Sequence, residues 1–214
     1  MKRKELEWIL GDLDSFKNPK VLLEQYATGP EIAATIMQTI DSEHDGIDGK
    51  AVADLGSGCG PLLISAALLG AQYCVGFEID EDALATCSDN LKTAEADCCV
   101  DLVHCNVLNY LNSPRWKDSF DTVLINPPFG TKHNRGMDIR FLETGLQMAS
   151  NAVYSLHKTS TRDYVLNRAK ELNAKATVLA ELRYDLPATY KHHKKQSVDI
   201  EVDFIKFVRN KVRE

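Results

Sequence analysis

The stretch Ala51-Val52-Ala53-Asp54-Leu55-Gly56-Ser57-Gly58-Cys59-Gly60 decides how the chain is read. Ala51 to Leu55, apolar except for Asp54, form a short strand, and a glycine turn follows at once. Pro61 then opens a helical run from Leu62 to Leu69, at a position where its missing N–H would have had no partner. Strand, turn and helix in succession make a βα unit. Glycine has no Cβ, so this turn lets a ligand approach the backbone closely.

The alternation continues downstream. Tyr73 to Glu78 is a second strand closed by an acid, Glu81 to Ala96 a helix, and Val100 to Cys105 a third strand. The apolar run Phe120 to Ile125 is a fourth. A polar loop from Gly130 to Gly136 leads to a helical pattern from Met137 to about Asn151, a fifth strand Ala152 to His157, and a helix Thr159 to Asn173. Ala176 to Leu186 and Ser197 to Val208 are β-patterned, with only the loop Pro187 to Gln196 between them. Two strands without a crossover helix must pair antiparallel, whereas the earlier strands, joined through helices, should be parallel.

Upstream, Leu6, Ile9, Leu10 and Leu13 fall at helical spacing, as do Ile32, Ile36 and Ile40. Between them Asn18 to Pro30, bounded by prolines, holds the polar Gln25-Tyr26-x-Thr28 in an apolar context and reads as a shaped loop. The expected architecture is one α/β domain over 1–214, with a helical extension at 1–45 before a Rossmann-like core at 46–214.

Composition limits the function. The 214 residues, 44% hydrophobic, suffice for one domain with a substantial core. A net charge of −6 argues against coating nucleic acid by charge alone, so such contact must come from local patches or a partner. The strongest basic run is Lys191-His192-His193-Lys194-Lys195, and with Lys132 it supplies the candidate RNA contacts Lys132, Lys191, Lys194 and Lys195. Six cysteines (Cys59, Cys74, Cys87, Cys98, Cys99, Cys105) show no CxxC and read as reduced thiols, and six histidines lack metal-ligand spacing, so no metal is expected. The charged start Met1-Lys2-Arg3-Lys4-Glu5 precedes no apolar h-region, and no apolar run approaches the roughly 20 residues that span a bilayer. The expectation is a soluble intracellular protein of nucleus and cytoplasm, not secreted.

Two stretches carry chemistry. Glu78 closes the second strand 22 positions after Gly56, where a carboxylate can accept hydrogen bonds from both hydroxyls of an adenosine ribose. A nicotinamide or flavin dinucleotide and S-adenosylmethionine both fit this pairing. The pattern is G-x-G-x-G, not G-x-G-x-x-G, and the chain has no second mononucleotide-binding half. The other stretch, Asn126-Pro127-Pro128-Phe129, sits where the fourth strand leaves the sheet. Two prolines stiffen that turn and leave carbonyls without sheet partners. An amide, spare carbonyls and a ring on one rigid turn suit a flat substrate bearing an NH2 group.

With its reversed terminal strand pair, the chain resembles class I S-adenosylmethionine-dependent methyltransferases, which implies the strand order 3-2-1-4-5-7-6 with strand 7 antiparallel. In that class an Asn-Pro-Pro-Phe turn after strand four marks methylation of a planar-conjugated nitrogen, the exocyclic amine of adenine or the side-chain amide of glutamine. Such a nitrogen is a poor nucleophile, so both N–H bonds must be oriented and the lone pair aligned with the methyl group. The proposed acceptors are the Asn126 side-chain oxygen and the Pro127 carbonyl, with Phe129 stacking on the base.

The resemblance narrows through Glu24-Gln25-Tyr26-x-Thr28, Asp54-Leu55-Gly56-x-Gly58-Cys59-Gly60, Asn126-Pro127-Pro128-Phe129-Gly130-Thr131-Lys132 and Ala180-Glu181-Leu182-Arg183-Tyr184-Asp185-Leu186-Pro187-Ala188. With Lys194-Lys195-x-Ser197-Val198-Asp199-Ile200-Glu201-Val202-Asp203, these are similar to the methyltransferase-like protein 5 family over nearly the whole chain. That implies formation of N6-methyladenosine in small-subunit (18S-type) ribosomal RNA, with a small zinc-binding methyltransferase activator as partner on the edge of strand three. It implies a cofactor pocket of Gln25, Thr28, Asp54, Gly56, Gly58, Cys59 and Glu78, with Asn106 and Val107 near the cofactor's adenine. The family often has Asp where Glu78 and Asn106 stand. The alternatives are a protein glutamine-N5 methyltransferase, usually larger by a recognition domain, and an inactive RNA-binding assembly scaffold.

Overall fold

A computed structural model describes residues 1–42, 46–129, 134–187 and 197–210, with backbone alone for 185–187 and 197–199. Helices α1 (Arg3–Gly11) and α2 (Pro30–Ser42) precede β1 (Ala51–Leu55) and α3 (Pro61–Leu68). Then come β2 (Tyr73–Glu78), α4 (Glu81–Thr93), β3 (Val100–His104) and β4 (Phe120–Ile125). The chain continues through α5 (Met137–Met148), β5 (Ala149–Lys158), α6 (Arg162–Glu171), β6 (Ala174–Pro187) and β7 (Ser197–Arg209).

The seven strands form one sheet in the order β3-β2-β1-β4-β5-β7-β6. The β1–β2, β1–β4, β2–β3 and β4–β5 pairs are parallel, while β7 runs antiparallel to both β5 and β6. This is the expected Rossmann-like methyltransferase order. One face is covered by α1 to α4, which contribute Leu6, Met37, Leu63 and Leu91 to its core; the other is covered by α5 and α6 through Leu142, Leu146 and Val165. Gly145 lets α5 press onto the sheet, since a Cβ there would meet Ile125 Cδ1 at 2.8 Å.

Several boundaries depart from the sequence expectation; α4 ends at Thr93 rather than Ala96 and β6 starts at Ala174 rather than Ala176, and three further differences have a structural cause. Helix α5 stops at Met148, not near Asn151, and β5 starts at Ala149 rather than Ala152. A bulge explains it: Phe120 pairs with Ala149 and Thr122 with Ala152, so Ser150 and Asn151 oppose the single residue Asp121. The bulge breaks the period of two, and Ala149 and Ala152, both buried, sit at a helical spacing. The third difference is the Thr159 to Asn173 helix, which begins as a 3-10 turn at Thr159–Thr161 and ends at Glu171. The Arg162 guanidinium forks onto the buried Asp203 of β7, with Nε to Oδ2 and Nη2 to Oδ1 both at 2.6 Å, and Thr159 Oγ1 donates to Oδ1 at 2.8 Å. Burial disfavours the charged form of Asp203, but these bonds outweigh it and hold its carboxyl below its ordinary value.

Among the described residues no helix is long and apolar enough to cross a membrane. No group of three or more His, Cys, Asp or Glu side chains there could hold a metal ion.

Candidate active site

Strand register builds the site. Leu55 of β1 pairs with Phe77 of β2 on one side and Ile125 of β4 on the other. The next residues, Gly56, Glu78 and Asn126, therefore lie at one level at the ends of three adjacent strands, about 4.8 Å apart, Glu78 being the last residue of β2. This is the switch point of an open α/β sheet, where ligands bind.

At the first of these strand ends, Gly56 and Gly58 have φ of 75° and 55°, and Gly60, just before α3, has φ of 91°. The Gly56 and Ser57 N–H groups both donate to the Phe77 carbonyl, at 2.8 and 3.1 Å, which ties the turn to β2. Phe16 lies over it, close enough that a Cβ on Gly58 would stand 2.9 Å from its Cζ. The segment bearing Phe16 is pinned by Asn90, whose Oδ1 accepts from Asp14 N–H (2.8 Å) and whose Nδ2 donates to the Asp14 and Cys59 carbonyls (both 2.9 Å).

Glu78 is buried, and three backbone N–H groups converge on its carboxylate. Gly58 donates to Oε2 at 2.9 Å, and Ile79 and Asp80 donate to Oε1 at 2.8 and 2.9 Å. A carboxylate offers about four lone-pair sites, so Oε2 keeps room for one more donor. Asn106 accepts from Leu108 N–H through Oδ1 at 3.1 Å, capping a short turn that starts at Val107. Asp54 is buried below the glycine turn, where burial, with Glu78 nearby, pushes its carboxyl up to about 7.

The cleft has two lobes. The larger, about 830 Å³, is bordered by Gln25, Gly56, Gly58, Glu78, Asn106, Val107, Asn126 and Pro128. The smaller, about 340 Å³, is bordered by Thr28, Asp54, Cys59 and again Asn126, and Phe16 and Tyr26 touch both. Burial, with Glu78 nearby, pushes the Cys59 thiol up to about 12, so it is neutral and takes no nucleophilic role.

At the acceptor turn, Asn126 Nδ2 donates to Thr28 Oγ1 at 2.8 Å and to the Tyr184 hydroxyl at 3.3 Å. These contacts fix the amide with Oδ1 turned the other way. There Oδ1 and the Pro127 carbonyl converge on one donor, the Tyr26 hydroxyl, at 3.4 and 3.1 Å. Tyr26 stacks on Phe129 with ring centroids 5.2 Å apart and planes at 24°. Burial, with Tyr184 and Glu24 nearby, pushes the Tyr26 hydroxyl well above its ordinary range and keeps it a donor.

The structure thus gathers every expected cofactor residue around one cleft with the acceptor turn. Two have other commitments. Gln25 Nε2 donates to Asp80 at 2.6 Å while its Oε1 accepts from Lys20 N–H at 2.7 Å, so it anchors the segment 18–30 to α4; Thr28 serves the Asn126 amide. Lys132, Lys191, Lys194 and Lys195 lie outside the described residues. Sequence reasoning did not find Phe16, Asn90, Asp80 or the part played by Tyr184. Only Asp80, a helix-capping acid before Glu81, carries a local signal.

Fold and site together define an S-adenosylmethionine-type methyltransferase architecture, and residues 31–182 match the Methyltransferase small domain family. The chain belongs to that family and, within it, to the METTL5 group. It is 55% identical over 207 residues to the zebrafish (Danio rerio) rRNA N(6)-adenosine-methyltransferase METTL5, covering 97% of this chain and 99% of that protein. It is 54% identical over 207 residues to Drosophila melanogaster Mettl5, with 97% and 96% covered. Among solved structures, PH1948 of Pyrococcus horikoshii superposes with a TM-score of 0.85 at 32% identity, covering 98% of each chain.

Proposed function

We propose that this enzyme transfers the methyl group of S-adenosylmethionine to the exocyclic N6 of an adenosine in small-subunit ribosomal RNA. The carrying observation is the convergence of Asn126 Oδ1 and the Pro127 carbonyl on a single donor position, level with the glycine turn. An amine placed there gives one N–H to each acceptor, which orients its lone pair away from both and rehybridises the nitrogen toward attack. Phe129 offers the stacking face, and a base inside folded RNA must be flipped out to reach it. The rRNA N(6)-adenosine-methyltransferase activity for which the relatives at 55% and 54% identity are named favours ribosomal RNA adenine over glutamine.

The cleft suits the cofactor. Positive-φ glycines leave the backbone open, Glu78 keeps a lone pair for a ribose hydroxyl, and Asn106 and Val107 flank the place of the adenine. Bound there, S-adenosylmethionine supplies an electrophilic methyl group on a sulfonium. Asn126 and Pro127 hold the amine, and its proton can leave after attack, so the chain needs no general base at this point.

The partner in this reading is a small zinc-binding methyltransferase activator. Its landing place is β3, an edge strand of the sheet with half-buried Val100, Leu102 and Val103 and one row of backbone groups unpaired within the sheet. The test is incubation of the chain and activator with labelled cofactor and either small ribosomal subunits or a release factor. Label in RNA, recovered as N6-methyladenosine, is the expected result; label in release-factor glutamine, or none, would refute it.

A further inference from the structure

Tyr26 reproduces, within the chain, the contacts required of the substrate. Its hydroxyl lies 3.1 Å from the Pro127 carbonyl and 3.4 Å from Asn126 Oδ1, where the amine nitrogen must sit. Its ring covers Phe129 at a 5.2 Å centroid separation, nearly parallel, where the base must stack. A base and Tyr26 cannot hold this position together.

We propose that Tyr26 is a resident occupant of the acceptor position, which a target adenine must displace in order to react. This rests on the reading of Asn126 and Pro127 as the amine acceptors. The segment carrying Tyr26 is anchored on both sides. Gln25 is bonded to Asp80 and Lys20, Thr28 to Asn126, and Asn134 Nδ2 donates to the Leu22 carbonyl and to Glu24 Oε1, both at 3.0 Å. Displacement therefore falls on the Tyr26 side chain rather than on the backbone. Residue 26 also lies outside the stretch 31–182 that matches the general family, so the device is not part of that match.

The exchange favours an amine. A phenol has one proton and satisfies one acceptor at a time, whereas an exocyclic NH2 has two and satisfies both. A base presenting a carbonyl at that edge would set its oxygen against two acceptors and recover none of the bonds Tyr26 gives up. Occupancy by Tyr26 thus lowers the apparent affinity for every base by one common factor, set by the fraction of time the position is open, and a base that repays both bonds keeps the most net affinity after the exchange.

The test is Tyr26→Phe, which keeps the ring and removes the hydroxyl, assayed with the activator on the ribosomal RNA substrate. Losing one hydrogen bond from the closed arrangement is expected to lower the KM for RNA roughly 2- to 10-fold. A residue needed only for structure would raise KM or lower kcat. The gain should be common to all bases: an RNA carrying purine riboside at the target, which lacks the amine, should gain affinity from the variant by the same factor as the adenosine RNA, and a gain confined to one of the two overturns the proposal. An unchanged or raised KM overturns the proposal. Independently, 3-fluorotyrosine at position 26 should shift its 19F resonance when RNA is added but not when S-adenosylhomocysteine alone is added; a resonance blind to RNA also overturns it. If the unsubstituted enzyme forms no N6-methyladenosine, both this proposal and the functional reading fail; if it does and Tyr26→Phe behaves otherwise, only the proposal fails.

Discussion

Removing the Tyr184 hydroxyl should slow methyl transfer while leaving cofactor binding intact. The amide of Asn126 can point its oxygen or its nitrogen at the substrate, and only the oxygen accepts an N–H. Two bonds from Nδ2 select the productive orientation, one to Thr28 Oγ1 at 2.8 Å and one to Tyr184 at 3.3 Å. A neutral hydrogen bond contributes about 0.5–1.5 kcal/mol net, or about 2- to 12-fold in rate if fully expressed in the transition state, and the longer Tyr184 bond belongs at the low end. Tyr184→Phe should therefore reduce kcat by roughly 2- to 4-fold and Thr28→Val by roughly 5- to 10-fold, on that scale. Each single variant keeps one anchor. The double variant keeps neither, so its loss should exceed the product of the two, as expected for groups acting on one amide. Tyr184 is buried and packs edge-on to Tyr26 and Phe129, and the Phe substitution keeps those contacts. The assay is single-turnover methylation at saturating RNA and cofactor, with S-adenosylhomocysteine affinity from calorimetry as control. Tyr184→Phe at the unsubstituted rate, or a loss confined to cofactor affinity, would refute the reasoning.

Gly58→Ala should raise the cofactor Kd about 10-fold or more, because a φ of 55° strains any L-residue by roughly 1–2 kcal/mol and the new Cβ would meet Phe16 at 2.9 Å. Gly49→Ala, with φ of 69° and open space around it, carries the strain without that contact and should lower the melting temperature alone. Asp54 supplies a pH prediction. Its folded-state value, raised to about 7, means the folded chain holds a proton that the unfolded chain has released. Its contribution therefore works increasingly against folding as pH rises from about 4 to about 7 and levels off above that. In melts of the ligand-free chain, Asp54→Asn should gain more over the unsubstituted chain at pH 7.5 than at pH 5; parallel curves would contradict the assignment.

The sheet was legible because its evidence is local: each strand is a short apolar run, each crossover except that from β3 to β4 a helical run, and the missing helix between the last two strands sets their direction. The alignment of Gly56, Glu78 and Asn126 followed only from a strand order supplied by resemblance, and the register of Leu55 with Phe77 and Ile125 gives it a physical basis. What stayed hidden depends on distant partners. Tyr26 meets Pro127 across 101 positions and Tyr184 meets Asn126 across 58; the polar Gln25-Tyr26-x-Thr28 marks Tyr26 without naming its partner, and nothing local marks Tyr184. Tyr184 reads simply as one residue of a strand. The start of β5 was hidden for another reason, since a bulge imitates helical spacing there.

In the proposed reaction Asn126 orients the reacting amine and does nothing essential for the cofactor. Asn126→Ala tests it most directly, with turnover on the ribosomal RNA substrate and S-adenosylhomocysteine affinity measured on the same preparation. Methyl transfer should be abolished while cofactor affinity stays nearly unchanged; turnover at the unsubstituted rate would overturn the role assigned to Asn126.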